Sequence, residues 1–483
     1  MGNYELTIGL EIHVELATKS KMFCGCATTF GAPPNTQCCP ICLGLPGTLP
    51  LLNRTAVEYG IRAGLALNCR INPVSEFARK NYYYPDLPKA YQITQHDKPL
   101  AENGFLEYFL DGQLTKTTIT RLHLEEEVGK SIHSGDSIIG SEYSSIDYNR
   151  AGIPLIEIVT APEIASPKQA RVFLEQLRLT LQYLGVSDCK MENGSLRCDA
   201  NVSVRDIEGN PGEKVEIKNL NSFRALERAL AYEGERQAVL LSQGKQVLRE
   251  TRTWDEKAQK TVRMRLKAEA PDYRYFPEPD LPPLELEQVW IHEIASSLPE
   301  LPLAREERFQ KAYGLSEYDA GVLVRAPHLA DVFEETVALG HSPKLTANWV
   351  LGDFARLARQ GEVVSAQHFG ELLELVSSGQ INNNQGKAVL EEMFATGASP
   401  REIVQKKGLT IIQDLGFLKT VIQEALNEHS ELVERYRSGE DRLLGFFVGQ
   451  VMRRTGGRAE PVLVNKLLAE ALQPGRNWEP HKE

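Results

Sequence analysis

The sequence predicts an α+β protein, in which a β-rich first part is followed by a helical second part. Short runs of alternating apolar and polar residues fill residues 4–160, as in ELTIGLEIHVEL and GIPLIEIVT, and this period of two is typical of strands. The Pro-rich segment EPDLPPLELEQVW then marks a boundary, and helical patterns dominate after it. We therefore predict three domains, at residues 1–292, 293–405 and 406–483.

Two helices are predicted within the β-rich part. The first covers PKQARVFLEQLRLTLQYL, residues 167–184. The second covers NSFRALERALAYEGERQAVLLSQG, where Asn221 or Ser222 is the expected N-cap and Gly244 the expected end. Strand patterns return between and after these helices, so the helices are expected to flank the β structure.

Composition and charge exclude several functional classes. The chain has 483 residues, 42% of them hydrophobic, and a net charge of −11. That charge argues against a general nucleic-acid coat, which would be basic throughout. No run approaches the roughly 18 apolar residues of a membrane span, and the N-terminus lacks a signal-peptide pattern. We therefore expect a cytoplasmic protein with no membrane association.

Four cysteines form the strongest local signal. Cys24 and Cys26 are followed, after a Gly- and Pro-rich loop, by Cys39 and Cys42. Two short cysteine pairs of this kind can place four thiolates around one zinc ion, and four protein ligands leave no open coordination position. The spacing therefore predicts a structural zinc site. Incidental buried cysteines are the weaker alternative.

Polar side chains share single faces of several predicted strands. In TIGLEIHVEL, Glu11 and His13 point the same way, because strand side chains alternate with period two. Glu157 interrupts an apolar strand, where a carboxylate is costly unless it is paired, protonated or metal-bound. Such faces suit a Mg²⁺ site, although a solvated outer face is the common alternative. The same kind of mixed polar face carries Arg197, Asp199 and Glu216.

Two other segments leave a functional and a structural interpretation open. HLEEEVGK places three glutamates at a strand end, shortly before Lys130, and this is either a metal-ligand cluster or a charged turn. Residues 78–95 and 264–281 interleave tyrosines with arginine and lysine. Such interleaving suits stacking on bases and contact with phosphates, but it is also common in packed surface loops.

These segments together resemble one family. KMFCGCATTFGAPPNTQCCPICLGLPGTLP, RKNYYYPDLPKAYQITQ, RLHLEEEVGKSIH, DYNRAGIPLIEIV, MENGSLRCDANVSVR, VEIKNLNSFR, ETRTWDE and DYRYFPEPDLPPL match, in order, the hallmark stretches of the GatB family. The later segment GQVMRRTGGRAEPVLVNKLL is similar to the family's small C-terminal YqeY-type domain. Eight matches in order are far more specific than any one of them.

The resemblance implies an architecture and an activity. Residues 1–292 would form an antiparallel β-rich cradle domain that is catalytic and holds the zinc, followed by a helical domain and the YqeY-type tail, which bind misacylated tRNA. The activity would be that of a ligase that uses glutamine as amido donor. ATP and Mg²⁺ would serve to phosphorylate the carboxylate of Glu-tRNA(Gln) or Asp-tRNA(Asn), and ammonia would displace the phosphate. Two partners, an amidase (the A subunit) and a small linking protein (the C subunit), would complete a heterotrimer.

The resemblance also implies residue roles. Residues expected at the Mg²⁺ and in catalysis are Glu11, His13, Glu126 and Glu157, with Glu125, Asp199 and Glu216 as second choices. Residues expected to contact ATP or phosphate are Lys80, Lys130, Arg150, Arg197 and Arg274. The four cysteines match the family's zinc positions. In the tail, the best basic patch for tRNA consists of Arg453, Arg454, Arg458 and Lys466.

The sequence leaves two competing functions open. The first alternative to the ligase is a non-catalytic scaffold, stabilised by zinc, that holds tRNA while a partner performs the chemistry. The polar strand faces and Glu157 disfavour this alternative, because a scaffold does not need them. A self-sufficient amidotransferase is less well supported, since the sequence has neither an amidase-like Gly/Ser-rich stretch nor a credible glutaminase cysteine.

Overall fold

The computed structural model describes residues 4–134, 142–206, 212–266, 273–358, 364–409, 412 and 414–473. The chain divides into two compact units, Met1–Ala304 and Arg305–Glu483. The first is built on a large sheet and the second is helical, so the predicted α+β order is confirmed. The three predicted domain boundaries stay predictions.

The elements of the two units follow in chain order. The strands are β1 (Tyr4–Glu15), β2 (Arg70–Ile71), β3 (Val74–Ser75), β4 (Ala78–Asn81), β5 (Tyr91–Thr94), β6 (Ala101–Leu110), β7 (Gln113–Glu126), β8 (Lys130–His133), β9 (Ser144–Asp147), β10 (Pro154–Thr160), β11 (Leu196–Asp206), β12 (Val215–Lys218), β13 (Glu250–Asp255), β14 (Lys260–Leu266), β15 (Phe276–Pro277) and β16 (Leu284–Glu285). The helices are α1 (Arg54–Ala66), α2 (Pro167–Tyr183), α3 (Phe223–Ser242), α4 (Gln288–Ser296), α5 (Pro302–Tyr313), α6 (Glu317–Val324), α7 (Pro327–Ala338), α8 (Pro343–Trp349), α9 (Ala355–Ala358), α10 (Ala366–Ser377), α11 (Asn383–Thr396), α12 (Pro400–Lys407), α13 (Leu415–Glu428), α14 (Ser430–Arg437), α15 (Leu443–Arg454) and α16 (Pro461–Ala471).

The first unit is organised by one large sheet. Within the described residues this sheet has nine strands, in the order β14-β13-β12-β11-β1-β10-β7-β6-β2. Neighbouring strands are antiparallel, except that β12 and β13 are parallel. Strand β1 therefore lies at the centre, between β10 and β11, although these partners come some 150 to 200 positions later in the chain.

The two faces of the sheet differ sharply in polarity. Along β1, Leu10, Ile12 and Val14 are buried on one face, while the side chains of Glu11 and His13 alternate with them on the other. Apolar residues of α1, α2 and α3 join the same core as the apolar face. This is the α+β arrangement in which helices gather on one side of an antiparallel sheet. The polar face is therefore left for the functional site.

Local signals place the two predicted helices of this unit correctly. Helix α2 begins after Ser166, whose Oγ accepts a hydrogen bond from the Gln169 amide at 3.1 Å. Helix α3 begins after Ser222, which caps the Ala225 amide at 3.0 Å. Gly244, just beyond α3, has a φ of +70°, a conformation that glycine adopts without steric cost. The predicted spans and the Ser222 cap are confirmed.

The second unit uses the same capping chemistry to separate its helices. Helices α11 and α12 each begin with a capping box, at Asn382 and Ser399. A π-helical turn, Val350–Phe354, joins α8 to α9. Helices α13, α15 and α16 share a hydrophobic core of their own, centred on residues such as Phe447. No helix in the described part of the chain combines the length and apolarity needed to cross a membrane.

A buried ionic network ties α3 to the edge of the large sheet. The Glu250 carboxylate is almost fully buried and accepts hydrogen bonds from Arg252 at 2.6 Å and from Arg263. Arg236 of α3 bridges Glu250 and Glu233. Burial alone would raise the pKa of Glu250, but the hydrogen bonds and charges of Arg252 and Arg263 outweigh it and hold that pKa below its ordinary value.

We expect Glu250→Gln to destabilise the first unit by about 3 kcal/mol at neutral pH, because three arginines lose a buried counter-charge. Since the folded-state pKa of Glu250 is lowered, its ionic contribution is present above the unfolded value near 4.5 and is lost as the pH falls through the folded value. Denaturant unfolding at several pH values measures this. The difference between wild type and variant should shrink on acidification, and a constant difference would contradict the assignment.

Candidate functional site

Strand register brings two histidines and a glutamate together on the polar face. His13 of β1 lies opposite Glu157 of β10, and Glu157 lies opposite His123 of β7. Residues directly opposite one another in an antiparallel sheet point to the same side. The Glu157 Oε2 atom is accordingly 3.3 Å from His13 Nε2 and 3.4 Å from His123 Nε2.

Glu125 completes this group from the same strand as His123. Its Oε1 atom lies 3.1 Å from His123 Nε2 and accepts a 2.7 Å hydrogen bond from the Thr94 hydroxyl. The ligand atoms of His13, Glu125 and Glu157 all lie within 4.8 Å of one another. One nitrogen and two carboxylate oxygens at this spacing are able to hold a metal ion on one side and leave its other side open.

The charges of this group compensate one another. Burial alone would lower the pKa of His123, but the charge of Glu157 and the hydrogen bond to Glu125 outweigh it and raise that pKa to about 9. Burial likewise opposes protonation of His13, yet Glu157 raises the pKa of His13. Burial alone would raise the pKa of Glu157, whereas the two histidines hold it well below its usual range. Glu157 is therefore ionised, as a carboxylate ligand must be, whereas His13 would have to give up its proton in order to bind a metal ion.

His13 and Glu125 of this group line a cavity of about 350 Å³. Its walls come from β1, β7, β10, β11 and β12 and from the segments around β4 and β5. The residues with chemical functionality that line it are His13, Lys80, Tyr82, Gln92, Glu125, Glu127, Arg197, Asp199, Lys218, Asn219 and Asn221. Acidic and basic side chains thus face the same space.

Three cations border this cavity. Lys80 lies with its Nζ 5.1 Å from the Tyr273 ring centre and 5.9 Å from that of Tyr82. Arg197 is the cross-strand partner of His13 on β11. Lys218 bridges two predicted metal ligands, with its Nζ 2.6 Å from Asp199 and 3.0 Å from Glu216. Lys218 therefore offsets part of the negative charge of these two carboxylates.

Glu126 is the main departure from the predicted site. It shares the strand parity of the core residues Leu122 and Leu124, so its side chain lies on the opposite face from Glu125. There it binds Lys89 and accepts a 2.9 Å hydrogen bond from the Ile93 amide. The structure thus brings Glu125, a second choice, to His13 and Glu157, and it does not bring Glu126.

The other predicted residues lie at varying distances from the group. Glu11 lies two residues before His13 on the same face of β1 and accepts a 2.8 Å hydrogen bond from Asn201, but it is not one of the three clustered ligand residues. Lys130 is exposed on the separate β8–β9 ribbon. Arg274 has a φ of +44°, and its carbonyl accepts a 2.6 Å hydrogen bond from Asn81. Arg150 lies behind Arg197, paired with Glu15 and Glu127.

His123 is the site residue that sequence reasoning missed. It belongs to the motif HLEEE, two positions before Glu125, and strand alternation puts the two on one face. That parity was the available signal. What the sequence does not contain is the register of β7 against β10, which joins His123 to Glu157.

The four predicted cysteines converge at a second point of the first unit. The sulfur atoms of Cys24, Cys26, Cys39 and Cys42 all lie within 4.8 Å of one another. Four thiolates about 2.3 Å from a central zinc would be about 3.8 Å apart, so the cluster fits a tetrahedral metal. The hydrogen bond between Cys24 and Cys42 lowers the pKa of Cys42 and raises that of Cys24, so these two sulfur atoms share one proton. All eight cysteines are unbridged.

Comparison with known proteins first defines the class. A family model described as the GatB/GatE catalytic domain matches residues 6–292, the part that contains both the open cavity and the thiolate cluster. The first unit is therefore a catalytic domain of the GatB/GatE class. This match disfavours the scaffold alternative.

The second part of the chain narrows the class to one family. A model described as the GatB domain matches residues 331–472. The B subunit of the aspartyl/glutamyl-tRNA(Asn/Gln) amidotransferase from Carboxydothermus hydrogenoformans is 51% identical over 98% of this chain and 99% of its own. The protein of the same name from Moorella thermoacetica is 53% identical over 97% of this chain and 100% of its own. The chain belongs to the GatB family, the B subunits of these amidotransferases, and the predicted resemblance is confirmed.

We expect His123→Asn to destabilise the first unit by about 1–3 kcal/mol, because two buried carboxylates lose their shared partner. His292→Asn is the matched control, since His292 is exposed on α4 and its change should cost less than about 0.5 kcal/mol. Thermal unfolding without added divalent cation measures both. Equal melting temperatures for the two variants would contradict a structural charge on His123.

Proposed function

We propose that this chain activates and amidates the side-chain carboxylate of Glu on tRNA(Gln), of Asp on tRNA(Asn), or of both, with ATP as the phosphoryl donor. The observation that carries this proposal is the group His13, Glu125 and Glu157, of which His13 and Glu125 line a cavity that Lys80 and Arg197 also line. A metal-competent cluster beside cations suits phosphoryl transfer, which depends on positioning and on neutralising charge. The names of the relatives identify the acceptors.

The chemistry requires two steps, because a free carboxylate is a poor acyl donor. In the first, a carboxylate oxygen attacks the γ-phosphorus of ATP, the bond to the bridging oxygen breaks, and ADP leaves. In the second, ammonia adds to the carbon of the acyl phosphate, and inorganic phosphate leaves with the electrons of the broken C–O bond. Loss of one proton from nitrogen gives the amide. The enzyme is then a carbon–nitrogen ligase.

His13, Glu125 and Glu157 are the residues that would hold Mg²⁺. Mg²⁺ prefers oxygen ligands, keeps several waters, and supplies charge neutralisation for ATP when it is bound. Glu157 is fixed by His123, and Glu125 is fixed by His123, Thr94 and Gln92. Supported ligands of this kind lie on strands, which position them more rigidly than loops do.

Lys80 and Arg197 serve as the phosphate-binding cations of the proposal. Both line the cavity that contains Glu125, and the charge of Glu125 contributes to the raised pKa of Lys80 against the effect of burial. Lys80 therefore stays protonated and offsets the repulsion between a carboxylate and the γ-phosphate. Lys130 and Arg274 are less favoured for this role, since neither lines that cavity.

Ammonia would come from a partner. We assign glutamine hydrolysis to an amidase partner (the A subunit) and the linking role to a small third protein (the C subunit), because the relatives are named as one component of a multi-subunit amidotransferase. The second unit would hold the tRNA. In its tail Arg453, Arg458 and Lys466 are exposed, whereas Arg454 pairs with Glu428. We expect the complex to act in the cytoplasm.

The thiolate cluster is proposed to bind one structural zinc ion. Four cysteine ligands satisfy tetrahedral zinc and leave no position for a substrate. The cluster holds together a long loop with little regular structure, residues 16–53. Lys21 is fully buried, donates to Cys42 Sγ at 3.5 Å and so offsets part of the negative charge of the thiolates.

We expect His13→Ala and Glu125→Gln each to lower kcat for amide formation by about a hundredfold or more. Each variant removes a residue that would hold the metal ion, and the transition state then loses the charge stabilisation that this ion would supply. The assay uses the assembled complex with Glu-tRNA(Gln), ATP, Mg²⁺ and free ammonia in place of glutamine, so that glutamine hydrolysis does not enter. His292→Ala is the control for protein quality.

The same assay separates the enzyme from the scaffold. A scaffold predicts that the variants weaken tRNA binding and leave turnover intact at saturating tRNA. Full activity of His13→Ala and Glu125→Gln with saturating tRNA would contradict the proposed active site. Retained tRNA affinity with lost turnover supports it.

We expect Cys39→Ser to abolish binding of one zinc ion per chain and to lower the melting temperature, because the metal provides folding free energy for its loop. Cys38→Ser is the matched control, since Cys38 is adjacent in sequence and lies outside the cluster. Metal analysis by mass spectrometry and calorimetry measure the two effects. Equal zinc content in both variants would exclude the cluster as the binding site.

A further inference from the structure

Four charged side chains form an alternating chain that starts behind the cavity and reaches its wall. Arg150 Nη2 lies 2.6 Å from Glu15 Oε1 and 3.0 Å from Glu127 Oε2. The same Glu127 oxygen is bound by Arg197 Nη2. The order Glu15, Arg150, Glu127, Arg197 is therefore negative, positive, negative, positive, and the set is neutral overall.

Burial distinguishes the last two members of this chain of charges, Glu127 and Arg197. Both side chains line the cavity, but that of Glu127 is 3% exposed whereas that of Arg197 is 44% exposed. A buried carboxylate with two arginine partners is fixed in position, while an arginine at a cavity wall would otherwise sample many rotamers. Within the described residues, the hydrogen bond that orients the Arg197 guanidinium is the one to Glu127.

Backbone hydrogen bonds also connect the segment that carries Arg150 to Glu127. The Glu127 amide donates to the Ile153 carbonyl at 2.8 Å, and the Gly152 amide donates back to the Glu127 carbonyl at 2.8 Å. The loop that carries Arg150 is thus fastened to the residue that Arg150 binds. At Gly194, whose φ is +79°, a Cβ would lie 3.5 Å from Arg150 Nη1, so this arginine is also closely packed.

We propose that Glu127 and Arg150, backed by Glu15, are positioning residues that hold the Arg197 guanidinium for a phosphate group in the cavity. This inference rests on the proposed function and deepens it. Arg150 then acts through Glu127 and does not touch substrate itself. The phosphate belongs either to ATP or to the acceptor end of the tRNA, and the guanidinium geometry suits both.

The test measures kcat and KM for ATP and for Glu-tRNA(Gln) in the complete complex. We expect Glu127→Gln and Arg150→Met to raise one of the two KM values by about tenfold or more, the equivalent of losing about 1.4 kcal/mol of binding. Glu127→Asp, which keeps the charge, should restore most of the affinity. A rise in the KM for ATP identifies the ATP phosphate, and a rise in the KM for tRNA identifies the tRNA phosphate.

Arg171→Met is the matched control for loss of an ion pair. Arg171 lies on α2, on the helical side of the sheet, is 30% exposed like Arg150 at 27%, and pairs with Glu227 at 2.8 Å. Its substitution should leave both KM values unchanged. Equal losses in all parameters for Arg150→Met and Arg171→Met would mean a merely structural role and would overturn the proposal.

A double-mutant cycle checks that the effect passes through Arg197. If Glu127 acts by positioning Arg197, Glu127→Gln should add little to the KM of an Arg197→Met enzyme. Additive effects, or an unchanged KM in the single Glu127→Gln variant, would overturn the proposal. If the wild-type complex forms no amide with ATP, the proposed function itself is wrong. If the wild type is active and the variants have unchanged KM values, only the positioning role is wrong.

Discussion

The pairing of β1 with β10 and β11 is the constraint on which the rest of the first unit depends. Strand side chains alternate, so a slip of one residue would exchange the apolar and polar faces of the sheet. The observed register buries Ile12 against the helices and places His13 opposite both Glu157 and Arg197. One register therefore defines the hydrophobic core and the candidate site together.

Charge balance is the second principle of the polar face. Glu157 is held by two histidines, Glu127 by two arginines, and Lys218 by two carboxylates. Buried charges are tolerated only when they are paired and hydrogen-bonded. The Glu250 network near the sheet edge follows the same rule although none of its residues lines the cavity, so pairing alone does not mark a functional group. What distinguishes the site is pairing combined with an open cavity.

The sequence was sufficient wherever the signal was local. The convergence of the cysteine pairs, the cap of α3 at Asn221 or Ser222 and the alternation of β1 each rest on a short segment, and the structure agrees with each of them. The signal failed where distant strands decide the outcome. The three consecutive glutamates in HLEEE cannot be ranked as candidate metal ligands from the sequence. Only the register of β7 shows that Glu125 lies on the same side as Glu157 and that Glu126 contacts Lys89. The one local clue was that Glu125 shares a strand face with His123, and this clue helps only when His123 is known to belong to the site.

The central position of β1 has a consequence for how the protein is made. β1 leaves the ribosome before the other described strands, yet its partners at residues 155–159 and 196–206 are synthesised much later. At about 5–20 residues per second, the strand waits on the order of 10–40 seconds with both edges unpaired. An alternating strand with open edges is prone to pair with other chains during such an interval. The geometry that unites the core and the site thus creates a period of vulnerability in the nascent chain, when chaperone protection matters most.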